Sequence, residues 1–141
     1  MTLKRKLKPI PQGEINMSLT HVAVKIGRLG SRDLFEAKFL VDTGASDAMA
    51  PASELRRVGI EPVGTRTYEL ASGELQDYEY GLAELRFMGE ITSTDIIFGP
   101  EGSKPILGVI ALEAAGFIVD PKNETIRKLH ARPLKQALLA K

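Results

Sequence analysis

Apolar and polar residues alternate with a period of two through most of this chain, and Gly, Pro, Asn or Asp interrupts the alternation at short intervals. That pattern belongs to half-buried strands joined by tight turns. In SLTHVAVKIGR (18–28) it places Val22, Val24 and Ile26 on one face, and Leu29-Gly30-Ser31 supplies a reversal. Residues 32–41 answer with Phe35, Ala37, Phe39 and Val41 in the same phase, which predicts an antiparallel hairpin. A second hairpin is predicted from 63–70 and 74–80 around Ala71-Ser72-Gly73, with Tyr68, Leu70, Leu75, Tyr78 and Tyr80 on its arms. GLAELRFM (81–88) reads as a further strand that turns at Gly89-Glu90 into ITSTDIIF (91–98), and FIVD and TIRKL form a last hairpin across 121–124.

Two stretches leave this period. PASELRRVG (51–59) has Pro51 suited to a first helical turn and Gly59 to the left-handed position that closes it. VIALEAAG (109–116) is rich in Leu, Ala and Glu and ends at Gly116, so it too predicts a short helix. The tail adds a helical turn after Pro133, from the spacing of Leu134 and Leu138. The expected class is therefore all-β with one or two short helices.

Composition narrows the function. A chain of 141 residues with 43% hydrophobic content makes one domain with a real core. Its net charge of +1 provides no field for nucleic acid or an anionic membrane, so neither is expected as a partner. The basic KRKLK at 4–8 reads as a solvated arm. There is no cysteine, hence no disulfide, thiol nucleophile or thiolate metal site, and a cytoplasmic location suits the chain. No segment approaches the roughly 20 apolar residues of a membrane span.

Several chemistries fail on spacing. Gly59 and Gly64 mimic a phosphate loop, but Thr65-Arg66 replaces the required Lys-Ser/Thr. A calcium loop counted from Asp42 places Ser53 where a bidentate Glu is needed. His21 and His130 are far apart and without companions, so no zinc site or His-dependent triad starts from them. What remains is Asp42, placed directly after the apolar Phe39-Leu40-Val41, with the Thr43 hydroxyl beside it and Gly44 allowing a sharp turn and close approach. A polar turn capped by its own Asp would produce the same short motif.

The order of elements around Asp42 decides between these. Leu40-Val41-Asp42-Thr43-Gly44-Ala45-Ser46, then the hairpin YELASGELQDY, then Ile106-Leu107-Gly108 leading into VIALEAAG, then FIVDPKNETI, resemble the retropepsin-like aspartic proteases in sequence and spacing over about residues 18–129. The likeness is to the cellular and bacterial branch more than to the viral one. It implies a retropepsin-like closed β-barrel carrying one half-site per chain, with 1–17 as an N-terminal arm, 18–129 as the protease domain and 130–141 as a tail. One departure stands out: after the late glycine the family usually carries a polar residue that caps the helix or braces the catalytic loop, and this chain has Val109-Ile110.

Aspartic protease chemistry requires two carboxylates in one site, one ionised to accept a proton from water and one protonated to polarise the peptide carbonyl. Asp-Thr/Ser-Gly occurs once here, and Asp33, Asp47, Asp77, Asp95 and Asp120 lack that context. The resemblance therefore implies a two-fold homodimer with Asp42 and its mate at the axis, no metal and no cofactor. Thr43 and Gly44 would complete the catalytic loop, Thr43 by hydrogen-bonding across to the opposite one. A peptide or protein substrate would lie extended against Ala45 and under a flap whose tip is Ala71, Ser72 and Gly73. The alternatives are a catalytically weak or inactive dimeric module that binds peptides or proteins, and a protease cut from a retroelement polyprotein.

Overall fold

The computed structural model describes residues 14–16, 21–120, 122–123 and 125–134. The basic arm at 4–8 and the tail beyond Leu134 lie outside them. The described elements run β1 (Glu14–Asn16), β2 (His21–Gly27), β3 (Leu34–Val41), β4 (Ala48–Pro51), α1 (Ala52–Arg57), β5 (Pro62–Glu69), β6 (Leu75–Phe87), β7 (Glu90–Gly99), β8 (Ile106–Leu107), α2 (Val109–Ala114), β9 (Phe117–Asp120) and β10 (Thr125–Lys128). The mainly β class is what the alternation predicted, and the two short helices fall in the two stretches that leave it. No helix among the described residues is long and apolar enough to cross a membrane.

The first hairpin forms in the predicted phase. Val22 faces Phe39, Val24 faces Ala37 and Ile26 faces Phe35 across the β2–β3 ladder. The inward members Val24, Ile26 and Phe39 are fully buried, and each side chain of this size removed from water contributes roughly 1.5–3 kcal/mol. Both helices also end as expected, with Gly59 at φ 88° and Gly116 at φ 93°. Helix α1 has no side-chain cap of its own. Glu101 takes that part, accepting the Ser53 N–H at 3.0 Å and the Ser53 hydroxyl.

Strand order closes the sheet on itself. The sequence of neighbours is β2-β3-β8-β4-β7-β6, and β6 pairs back to β2 through Ile26 and Leu85, completing a ring with β5 attached outside it on β6. The core is one buried cluster in which Leu85, Ile96, Phe98 and Leu107 join Ile26 and Phe39, with Leu55 from α1 and Leu112 from α2. Strands β1, β10 and β9 form a separate three-stranded antiparallel sheet, so residues 14–16 add a strand within the stretch expected as an arm.

Two predicted boundaries move. The arm at 74–80 and the strand at 81–88 are one continuous strand, β6, running through Gly81. Gly81 does not break the strand; a Cβ there would lie 2.6 Å from the Glu61 carbonyl oxygen, so glycine is present to let a neighbouring backbone approach. The β6–β7 turn falls at Met88-Gly89 rather than Gly89-Glu90, because Phe87 pairs with Glu90 and leaves a two-residue turn with φ 52° and 80°.

Candidate active site

The ring puts the end of β3 beside β8. Leu40 and Val41 run parallel to Ile106 and Leu107, and the Asp42 N–H extends that ladder by donating to the Leu107 carbonyl at 3.0 Å. The chain then folds back on Asp42 itself. Gly44 N–H donates to Asp42 Oδ1 at 2.9 Å and Ala45 N–H donates to the Asp42 carbonyl at 3.1 Å. This is the self-capped Asp turn that the motif alone allowed, and it holds the carboxylate in one orientation. Asp42 and Ala45 are half-buried, while Thr43, Gly44 and Ser46 are exposed.

Helix α2 braces the loop from the other side. The opening N–H groups of a helix have no partner within it, and here Val109 N–H donates to the Ala45 carbonyl and Ile110 N–H to the Ser46 carbonyl, each at 3.0 Å. No side chain caps α2, and Ile110 is 47% exposed. Gly108 makes the approach possible. A Cβ on it would sit 2.5 Å from the Ser46 carbonyl oxygen and 2.6 Å from that of Asp47, distances no side chain tolerates.

The far end of the loop holds a carboxylate that sequence reasoning passed over. Asp47 is only 5% exposed, and burying an ionised group is costly unless it is paired. Its partners come from β5: Tyr68 O–H donates to Oδ2 at 2.5 Å and the Arg66 guanidinium lies 3.5 Å away. Arg66 also binds Asp95 of β7 at 2.5 Å and stacks on the Tyr80 ring at 3.7 Å. Burial, with the hydrogen bond to Asp47 second, pushes the Tyr68 phenol up to about 12. The Asp95 hydrogen bond leads the causes that hold Arg66 protonated more firmly than an ordinary arginine. The clue in the sequence was that Arg66 and Tyr68 alternate on one face of a strand, with an acid set among small apolar residues before it.

Ala71, Ser72 and Gly73 lie at the tip of the β5–β6 hairpin, where Leu70 N–H donates to the Glu74 carbonyl and Gly73 N–H to the Leu70 carbonyl, both at 2.8 Å. The predicted site residues therefore fall into two groups, the Asp42–Ala45 turn and this tip, and the contacts from Arg66 and Tyr68 to Asp47 join the arm carrying one to the loop carrying the other. His21 and His130 are exposed. Among the described residues no group of three or more His, Cys, Asp or Glu side chains is arranged to hold a metal ion.

A family model described as Aspartyl protease matches residues 22–111, a span that includes the Asp42 turn, the hairpin and Gly108. None of the curated proteins is significantly similar to the chain. Among solved structures, the simian foamy virus protease is similar at 15% identity with a TM-score of 0.48, covering 67% of this chain and 92% of that one. A retropepsin-like aspartic protease from Rickettsia conorii is similar at 21% identity with a TM-score of 0.43, covering 81% of this chain and 97% of that one.

Proposed function

The chain belongs to the aspartyl protease family, and from that premise we propose that it is an endopeptidase whose catalytic site forms between two copies, each contributing Asp42. The observation that carries the reading is the Asp42 turn itself: a half-buried carboxylate oriented by Gly44 N–H and braced through Leu107, Val109 and Ile110. Preorganisation of this kind is what acid–base chemistry requires of a group that must meet a water and a carbonyl at fixed distances. Asp-Thr/Ser-Gly occurs once in the chain, so the second acid comes from a second subunit.

Two carboxylates a few ångströms apart resist joint ionisation and share one proton. The ionised acid takes a proton from the water as its oxygen bonds to the peptide carbonyl carbon, and the protonated acid donates to the carbonyl oxygen. The tetrahedral diol then collapses: a hydroxyl proton returns to a carboxylate, the nitrogen takes the proton from the other acid, and the C–N bond breaks. Thr43, exposed beside Asp42, would hydrogen-bond to the opposite loop, and Ala45 with the hairpin tip at Ala71–Gly73 would contact an extended peptide. A site of this kind needs no cofactor.

The alternative, a catalytically weak or inactive dimeric module that binds peptides or proteins, would share this fold and dimer and differ in lacking cleavage. Solution mass together with cleavage of an unbiased peptide library tests the reading. Cleavage by a dimeric wild type, lost in a dimeric Asp42→Asn, supports it; a wild type that cleaves nothing between about pH 3 and 8 overturns it, since an acid dyad operates within that range.

A further inference from the structure

We infer that Asp47, Arg66, Tyr68 and Asp95 act together as a latch that fixes the β5 arm of the hairpin to the Asp42 loop, making them positioning residues for the flap. The inference rests on the protease reading for its consequence in catalysis, but the latch itself is a property of the fold.

The argument begins with what β5 lacks. Its side chains alternate between half-buried and exposed along the whole strand, and none is fully buried, so no hydrophobic anchor sets its position. It is hydrogen-bonded to β6 and lies outside the closed ring. A strand so placed swings with its hairpin unless something ties it down. The tie is polar. Tyr68 and Arg66, two residues apart and therefore on one face, both reach Asp47, which lies five positions beyond Asp42 and two beyond the Ala45 carbonyl braced by α2. Arg66 continues the connection to Asp95 on β7, a strand of the ring.

Neighbours are arranged to keep this cluster in place. The Tyr80 ring lies under the guanidinium, and Gly64 leaves space for it, since a Cβ there would meet that ring at 3.0 Å. Tyr78 packs against Tyr68 with centroids 6.1 Å apart at 55°. The raised Tyr68 phenol remains a hydrogen-bond donor at any pH where the dyad would work. Asp47 has a matching need, because the two partners on β5 offset the cost of its burial. Loop and arm are therefore coupled, and loss of the β5 partners would leave the buried Asp47 carboxylate without its hydrogen bond from Tyr68 and its ion pair with Arg66.

Tyr68→Phe tests the latch by removing one oxygen while keeping the ring. The expected result by amide hydrogen exchange is about tenfold faster exchange in the β5–β6 ladder, with the β2–β3 ladder unchanged. Cleavage should show KM raised about tenfold with kcat nearly constant, the signature of weakened substrate positioning. A purely structural contribution would speed exchange in both ladders. Asp95→Asn gives the same local readout should Tyr68→Phe fail to fold. Exchange at the wild-type rate in β5–β6 of either folded variant overturns the latch. If the wild type cleaves no peptide but exchange responds as expected, the latch stands and the protease reading falls; cleavage with unresponsive exchange gives the reverse.

Discussion

The Asp42 loop and the hairpin tip are both short turns joining strands, yet they are held in opposite ways. Residues 42–47 are fixed by the β8 strand, by two donors from α2 and by a glycine pressed against their carbonyls. Residues 69–77 are all exposed, and the turn at 70–74 is closed by hydrogen bonds within itself. One region has its geometry imposed from outside, whereas the other makes its own. The difference fits the proposed tasks, since a reacting acid needs fixed distances and a cover needs freedom to open.

The sharpest way to break this comparison is at its rigid end. Asp42→Asn keeps an oxygen to accept from Gly44 N–H, so it should leave the melting temperature nearly unchanged while lowering peptide cleavage by about 10³-fold, or ~4 kcal/mol of barrier. A variant that still cleaves would show that the loop is a structural turn. Gly108→Ala should cost about 3 kcal/mol in chemical denaturation, because its Cβ has only main-chain carbonyls to displace. A near-neutral result would mean that α2 can slide, and that the loop is not braced as described.

Smaller effects sharpen the contrast. Hydrogen bonds from Ser53, the side chain first and the main chain second, hold the Glu101 carboxyl below the ordinary glutamate range. A depressed carboxylate stabilises the fold above its unfolded pKa and loses that effect as pH falls through the folded value. Glu101→Gln should therefore lower the melting temperature slightly at neutral pH and match the wild type in acid, and a difference that persists in acid would contradict the cap. At the tip, Ser72→Ala should change stability by less than about 0.5 kcal/mol, since an exposed position within a self-closed turn has little to lose.

Much of this was legible in the sequence because it is local. The phase of Val22, Val24 and Ile26 against Phe39, Ala37 and Phe35 follows from alternation alone, and Gly59 and Gly116 end their helices for a reason confined to each residue. The apolar run before Asp42 placed it at a strand end, and the family match is in accord with the likeness read from the elements around it. What was missed is nonlocal. Gly81 resembled a strand boundary because the Glu61 carbonyl that requires it lies on another part of the chain. Asp47 resembled an ordinary loop acid, since its meaning comes from Arg66 and Tyr68. The return pairing of β6 with β2 leaves no trace in either segment's own pattern.

That return pairing has a consequence for how the protein is made. His21–Gly27 meets one partner, Leu34–Val41, almost as soon as it is synthesised, but Lys25 must wait for Arg86 to acquire its other neighbour. The first hairpin thus emerges from the ribosome with one border open, and the ring seals only once the chain has been made as far as Ile106–Leu107. Chains dominated by such distant contacts fold on timescales of about milliseconds to seconds, so a newborn copy passes through an interval in which strand His21–Gly27 is available to the wrong neighbour.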